Sequence, residues 1–204
     1  MRNQIDLTIL LDCSGSMANI CSDMEGSLKT VLEDQKQFND VVVSYYRFHS
    51  AGHFEEVFTG KPIKDVGEIK LNPNGSTALI DAWCLAIDKT GQRLGAMNEA
   101  DRPEKVMFCV ITDGEENDSK EYTEAQLKER IKTQEEQYNW KFLYLGANQV
   151  AQDTAMHYGA HRARTMTYDA SAPGVARASM AFACSISDFR CNNWVPGDVT
   201  QDQP

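Results

Sequence analysis

No stretch of this sequence approaches the roughly 18–20 consecutive apolar residues that cross a bilayer, so a membrane-spanning chain is not expected. The opening residues, Met1-Arg2-Asn3-Gln4-Ile5-Asp6, carry neither an apolar h-region nor a small-residue cleavage site, which argues against a secretory signal. Positive charge is scarce: 20 Lys and Arg stand against 30 Asp and Glu, for a formal charge of −10. That deficit argues against non-specific binding to nucleic acid or anionic membrane, both of which need a positive surface. The six cysteines, at positions 13, 21, 84, 109, 184 and 191, form no CxxC pair, and Cys109 lies in an apolar run where a free thiol behaves as a small hydrophobe. Without an export signal, a reducing cytoplasm is the expected location. No Gly-rich phosphate loop follows the first apolar run, which disfavours a nucleotide-binding role. Repeats and low-complexity blocks are also missing.

What is present is an ordinary globular composition, 42% hydrophobic and 9% aromatic, too apolar for a disordered chain. A chain of this length buries a full core without disulfides or a structural metal, so any metal it binds is expected to serve function. Short β-branched or aromatic runs alternate with longer segments of helical period. Ile5 to Leu11 reads as a buried strand. Met24, Leu28, Val31, Leu32 and Gln35 to Phe38 mark an amphipathic helix. Val41 to Phe48 is a second strand, paired through a short turn with an antiparallel strand at Phe54 to Phe58. Leu79, Ile80, Trp83, Ala86, Ile87 and Leu94 mark a helix, and Lys105 to Thr112 another buried strand. Thr123 with Gln126 forms a capping box that opens a helix toward Tyr138. Trp140 to Leu145 is a strand, followed by a short helix at Val150 to Met156 and a strand at Arg164 to Tyr168. A last helix carries Val175, Phe182, Ile186 and Phe189.

The pattern predicts an open, doubly wound, Rossmann-like α/β fold. Its mostly parallel sheet has about six strands, with one short antiparallel strand and helices on both faces. Residues 1–191 form the domain, and the polar, proline-containing 192–204 a tail.

Two of the buried strands end in aspartate followed by small or polar residues, Asp12-Cys13-Ser14-Gly15-Ser16 and Asp113-Gly114-Glu115. Ligands of open parallel sheets bind beyond the carboxyl ends of strands, where strand order reverses, and neighbouring strands there would bring Asp12 and Asp113 to one crevice. Asp12, Ser14 and Ser16 lie two apart on a loop turning at Gly15. Asn74-Gly75-Ser76-Thr77-Ala78 supplies another hydroxyl ahead of a helix. Two carboxylates and three hydroxyls are hard oxygen donors, suited to Mg2+ or Mn2+ rather than zinc or copper.

These residues resemble a metal-ion-dependent adhesion site (MIDAS). Asp12, Ser14 and Ser16 match its D-x-S-x-S element, Thr77 its isolated threonine and Asp113 its T-D-G aspartate. From Ile5 to about Tyr168 the sequence is similar to the von Willebrand factor A (vWA, integrin I-like) family, so that residues 1–191 would be a vWA domain. Gly75-Ser76-Thr77-Ala78-Leu79, Ile111 to Asn117 and Phe142 to Asn148 look like the compact cytoplasmic members of bacteria and phages. The resemblance implies direct metal contacts from Ser14, Ser16 and Thr77, and water-mediated ones from one or both of Asp12 and Asp113. It implies a protein-binding module, not an enzyme, whose metal takes up a carboxylate from a protein partner. For bacterial members it also permits a MoxR-type AAA ATPase as partner.

Rival readings leave marks that can be checked. A haloacid-dehalogenase-type phosphotransferase or hydrolase needs a second acid two residues after its nucleophile, where this chain has Ser14. Cys13-Ser14-Gly15-Ser16-Met17 is not a G-x-S-x-G nucleophile elbow. A structural vWA protein with an idle metal site remains a third reading. Glu115, Glu116, Asp118 and Glu121 read as a solvated acidic stretch entering a helix, where they complement its dipole. They would also repel an acidic partner. His157 and His161 have zinc-like spacing but no completing ligands, His49 and His53 flank the hairpin turn facing solvent, and Cys13 reads as small filler.

Overall fold

The computed structural model describes residues 4–147, 157–158 and 165–191. Strand β1 (Ile5–Asp12) leads through a 3-10 turn at Gly15–Ile20 into helix α1 (Cys21–Gln35). Then come β2 (Val41–Phe48), β3 (Phe54–Pro62), α2 (Leu79–Gly95), β4 (Lys105–Thr112), α3 (Glu124–Tyr138), β5 (Lys141–Ala147), β6 (Thr165–Tyr168) and α4 (Ala172–Arg190). The helix expected at Val150 to Met156, residue Arg164 and the expected tail lie outside the described residues.

The six strands form one sheet in the order β3-β2-β1-β4-β5-β6. Every pair is parallel except β2 with β3. The chain moves outward from β1 to β2 in one direction and from β4 to β5 in the other, so the reversal falls between β1 and β4. Their carboxyl ends lie side by side, with Leu11 opposite Ile111.

All eight β1 residues are buried, and strand alternation divides them between two cores. Ile5, Leu7, Ile9 and Leu11 join Met24, Leu28, Val31 and Leu32 of α1 and Val175, Phe182 and Ile186 of α4 on one face. Leu10 joins Leu79, Trp83 and Ile87 of α2 and Leu127 and Ile131 of α3 on the other. Each such aliphatic side chain contributes on the order of 1.5–3 kcal/mol by leaving water. Polar members of β1 point toward α2, where Thr8 meets Thr90 at 3.3 Å and Asp6 meets Arg93 at 2.7 Å.

Three differences from the sequence reading have physical causes. Helix α1 stops at Gln35 rather than Phe38, in a turn that ends at left-handed Asn39. Phe38 lies partly exposed beneath the Arg190 guanidinium, 3.9 Å from the ring centre. Strand β3 continues past Phe58 to Pro62, with a register shift and a left-handed Gly60. As an edge strand it tolerates proline, which needs no ladder partner on its outer side. Residues 63–78, for which no element was expected, contain only a 3-10 turn at Ile63–Asp65. They are anchored by Ile63, Val66, Ile69 and Leu71 in the α1/α4 core, and this anchored crossing delivers Thr77 to the start of α2.

Candidate metal centre

The five oxygen donors come from three loops at the carboxyl ends of β1 and β4. Asp12, the last residue of β1, is fully buried. Its Oδ1 accepts from the Ser14 backbone N–H at 2.7 Å, and its Oδ2 accepts from the Thr112 hydroxyl at 2.6 Å. The β1–β4 pairing sets that second contact, since Thr112 ends the neighbouring strand. Ser14 and Ser16 meet at 3.1 Å, and Ser16 Oγ donates to Asp113 Oδ1 at 2.7 Å. With the Ser16 hydroxyl hydrogen directed at Asp113, Ser14 is the donor of the pair, which leaves both Ser14 lone pairs and one on Ser16 available.

Thr77 closes the set. A methyl group placed on Gly114 would lie 3.2 Å from Thr77 Oγ1, 3.7 Å from Ser16 Oγ and 3.8 Å from Asp12 Oδ2. The missing side chain of Gly114 therefore leaves a space that three donors face, while Ser14 and Asp113 attach to it through Ser16. The structure brings together all five residues singled out from sequence. Among the described residues no group of three or more His, Cys, Asp or Glu side chains is placed to hold a metal, so the chemistry of this cluster is that of hydroxyls with two carboxylates.

Electrostatics fit a cation. Burial pushes the Asp12 carboxyl up to about 6, against the easing hydrogen bonds from Thr112 and Ser14. Asp113 is raised by burial too, eased by Ser16. Desolvation thus opposes the charged form of both acids, and a divalent ion among them would offset it. The oxygen-rich donor set and the open space beside Gly114 suit such an ion.

The backbone beneath the loops is tied in a ladder. Cys13 N donates to Phe48 O, Asn74 N to Cys13 O, Gly15 N to Gly75 O and Ala78 N to His49 O, all within 2.7–3.0 Å. Gly75 has a φ of 68°, and a side chain there would collide with Ser50 Oγ, so glycine is required.

The acidic stretch after Gly114 is solvated at Glu115 and Glu121, as expected, but it is not a helix entrance. Helix α3 begins only at Glu124, and residues 114–122 form a loop fastened to α2 and to the threonine loop. Asp118 Oδ2 accepts from the Ala51 backbone at 2.8 Å and the Ser76 hydroxyl at 2.7 Å. Thr77 N donates to Asn117 Oδ1 at 2.9 Å, while Asn117 N donates to Thr77 O at 3.0 Å. Two of the expected repelling charges, Glu116 and Asp118, thus have several donors each, and Asp118 is held below the usual carboxylate range by them. Sequence reasoning missed Asp81, Asn117 and Ser119 as supports. An acid in the first turn of α2 was a visible signal, but its partners lie about 40 positions away.

The other candidates take ordinary places. Cys13 is buried, and burial pushes its thiol up to about 11, as befits filler rather than a reactive thiolate. His157 pairs with Glu124 at 2.5 Å, and His161 lies outside the described residues. His49 is only half-exposed and stacks on His53 with ring centres 4.3 Å apart.

Solved structures carry the same architecture. The pilus adhesin SpaC from Lactobacillus rhamnosus GG matches with a TM-score of 0.69 at 15% identity, over 94% of this chain and 30% of that one. The mussel byssus protein PTMP1, in a form described as having a zinc-occupied MIDAS motif, matches at 0.63 and 12% identity, over 88% and 47%. The ArnB paralog VWA2 from Sulfolobus acidocaldarius matches at 0.53 and 14% identity, over 90% and 45%. The fold is vWA-like. This vWA-like chain spans less than half the length of each of these three proteins. No family model matches the sequence, and no curated protein does. No helix among the described residues is long and apolar enough to cross a membrane.

Proposed function

We propose that this vWA-like chain is a divalent-cation-dependent protein-binding module, with Ser14, Ser16 and Thr77 as direct ligands of Mg2+ or Mn2+ and Asp12 and Asp113 acting through water. The observation that carries the reading is the convergence of Thr77 Oγ1, Ser16 Oγ and Asp12 Oδ2 on the space beside Gly114. When bound, the cation supplies an open coordination position that suits a partner's carboxylate oxygen. Asp113 accepts the Ser16 hydroxyl hydrogen bond and Asp12 anchors the Ser14 backbone, which orients hydroxyl oxygens toward the space. Neutral hydroxyl ligands leave the ion's charge poorly quenched, so metal loading and acidic-partner binding reinforce each other.

Binding is proposed rather than turnover because both aspartates are engaged in holding the loops, and position 14 offers a hydroxyl where a phosphotransferase needs an acid. Zinc at the MIDAS motif of the structural neighbour PTMP1 makes it a competitor to include, though all-oxygen donors favour Mg2+ or Mn2+.

The test is capture of proteins from a lysate on immobilised wild type with Mg2+, wild type with EDTA, and Asp12→Ala with Mg2+. Proteins retained only by the first support the proposal. Retention indifferent to both changes contradicts it, and Mg2+-dependent phosphatase or nuclease turnover lost in Ser14→Ala would replace binding with catalysis.

A further inference from the structure

Next to the oxygen cluster lies a cleft of about 320 Å³, walled by Cys13, Arg47, His49, His53, Asn74 and Glu55 among others. That volume is at the lower end of ligand-holding clefts, about 300–1,000 Å³, and admits a side chain. The cleft adjoins the loops that carry the cluster. Cys13 sits between Asp12 and Ser14, and its carbonyl accepts from Asn74 N, three residues before Thr77.

Its chemistry is unlike the rest of this acidic chain. The wall offers a guanidinium, two imidazoles and an exposed amide, all able to donate hydrogen bonds. Glu55 is the one carboxylate in the wall, and Arg47 engages it twice, at 2.7 and 3.0 Å. Arg47 also donates to Lys70 O at 2.9 Å, so it fixes the wall, its charge balanced by Glu55. His53 is exposed and His49 is stacked behind it, each keeping one N–H even when neutral. A donor-rich wall with its own acid neutralised is suited to an acceptor-rich, negatively charged group.

We infer that this cleft receives a second acidic side chain from the partner segment whose first carboxylate occupies the cation site, so that the module reads a pair of acids rather than one. The inference rests on the metal-dependent reading above.

The probes are peptides of the form acetyl-Gly-Asp-spacer-Asp-Gly-amide, with no, one or two glycines as spacer, each paired with a control carrying Asn for one Asp. Titration into the Mg2+-loaded protein should give at least one spacer binding about tenfold tighter than its Asn controls, as expected of one hydrogen-bonded charge. His53→Phe keeps the stacked ring but removes the donor, and should bring that peptide to parity with its controls while leaving their binding unchanged. Backbone amide resonances of Gly52 and Asn74 should move only with the two-acid peptide. Mg2+-dependent binding with no preference for two acids, or a preference that survives His53→Phe, overturns the cleft assignment alone. Binding unaffected by EDTA, or no binding of any peptide, overturns it together with the metal-site reading on which it rests.

Discussion

Glu116 and Asp81 each hold the segment to which the other belongs. Glu116 Oε2 accepts from the Ile80 N–H at 2.8 Å, in the first turn of α2. One residue on, the Asp81 carboxylate accepts from the backbone N–H groups of Lys120, Glu121 and Tyr122 at 2.7–3.2 Å. Ser119 closes the exchange, its hydroxyl donating to Glu116 at 2.7 Å while accepting from Asp81 N at 3.1 Å. The loop that carries Asp113 and the helix start that carries Thr77 are thereby fixed to one another.

Asp81→Ala should therefore destabilise the fold by about 2–3 kcal/mol, because three backbone donors lose their acceptor. Urea unfolding checks this, with a lower midpoint and an unchanged m-value expected. A midpoint within error of wild type would show that the clasp adds nothing to stability.

Gly114→Ala is a gentler probe of the site. Its methyl group would enter the space that Thr77, Ser16 and Asp12 face, 3.2 Å from the threonine hydroxyl. Stability should change by no more than about 1 kcal/mol, while Mg2+ affinity measured by calorimetric titration falls at least about tenfold. Unchanged affinity would place the cation elsewhere.

Much of this arrangement was legible before any coordinates, and the parts that were not share a cause. Strands β2 and β4 fall where β-branched runs placed them, and the Thr123–Gln126 capping box forms as its spacing implies. The Asp12, Ser14 and Ser16 spacing and the Asp113 strand end are local patterns, so they could be read. Residues 63–78 could not, because Ile63, Val66, Ile69 and Leu71 follow neither helical nor strand period. Glu116 and Asp118 resembled a helix entrance because their acceptor role depends on backbone donors far away in sequence. Strand β1 looked almost wholly apolar, yet Asp6 and Thr8 are served by Arg93 and Thr90, partners that only the fold supplies.

Asp6 gives a pH signature. Burial outweighs its pairing with Arg93 and holds the carboxyl above its ordinary value. A group that binds its proton more tightly when folded adds stability as pH falls from that raised value toward the ordinary value near about 3.9, and adds none above it. The stability of wild type relative to Asp6→Asn should therefore increase on acidification from about pH 7 toward about pH 4.5. Urea unfolding of both proteins across that range measures it, and a relative stability that falls with acidification would contradict the assignment.

The most direct measurement of the central claim is thermal unfolding across a Mg2+ titration, repeated with Mn2+, for wild type, Asp12→Ala, Thr77→Ala and Asp113→Ala. Binding to the folded state alone adds about 2.7 kcal/mol at a hundredfold excess over the dissociation constant, worth about 5–10 °C in a domain of this size. The oxygen cluster predicts that rise in wild type and its loss in all three variants. A flat wild-type curve, or the same rise in every protein, would contradict it.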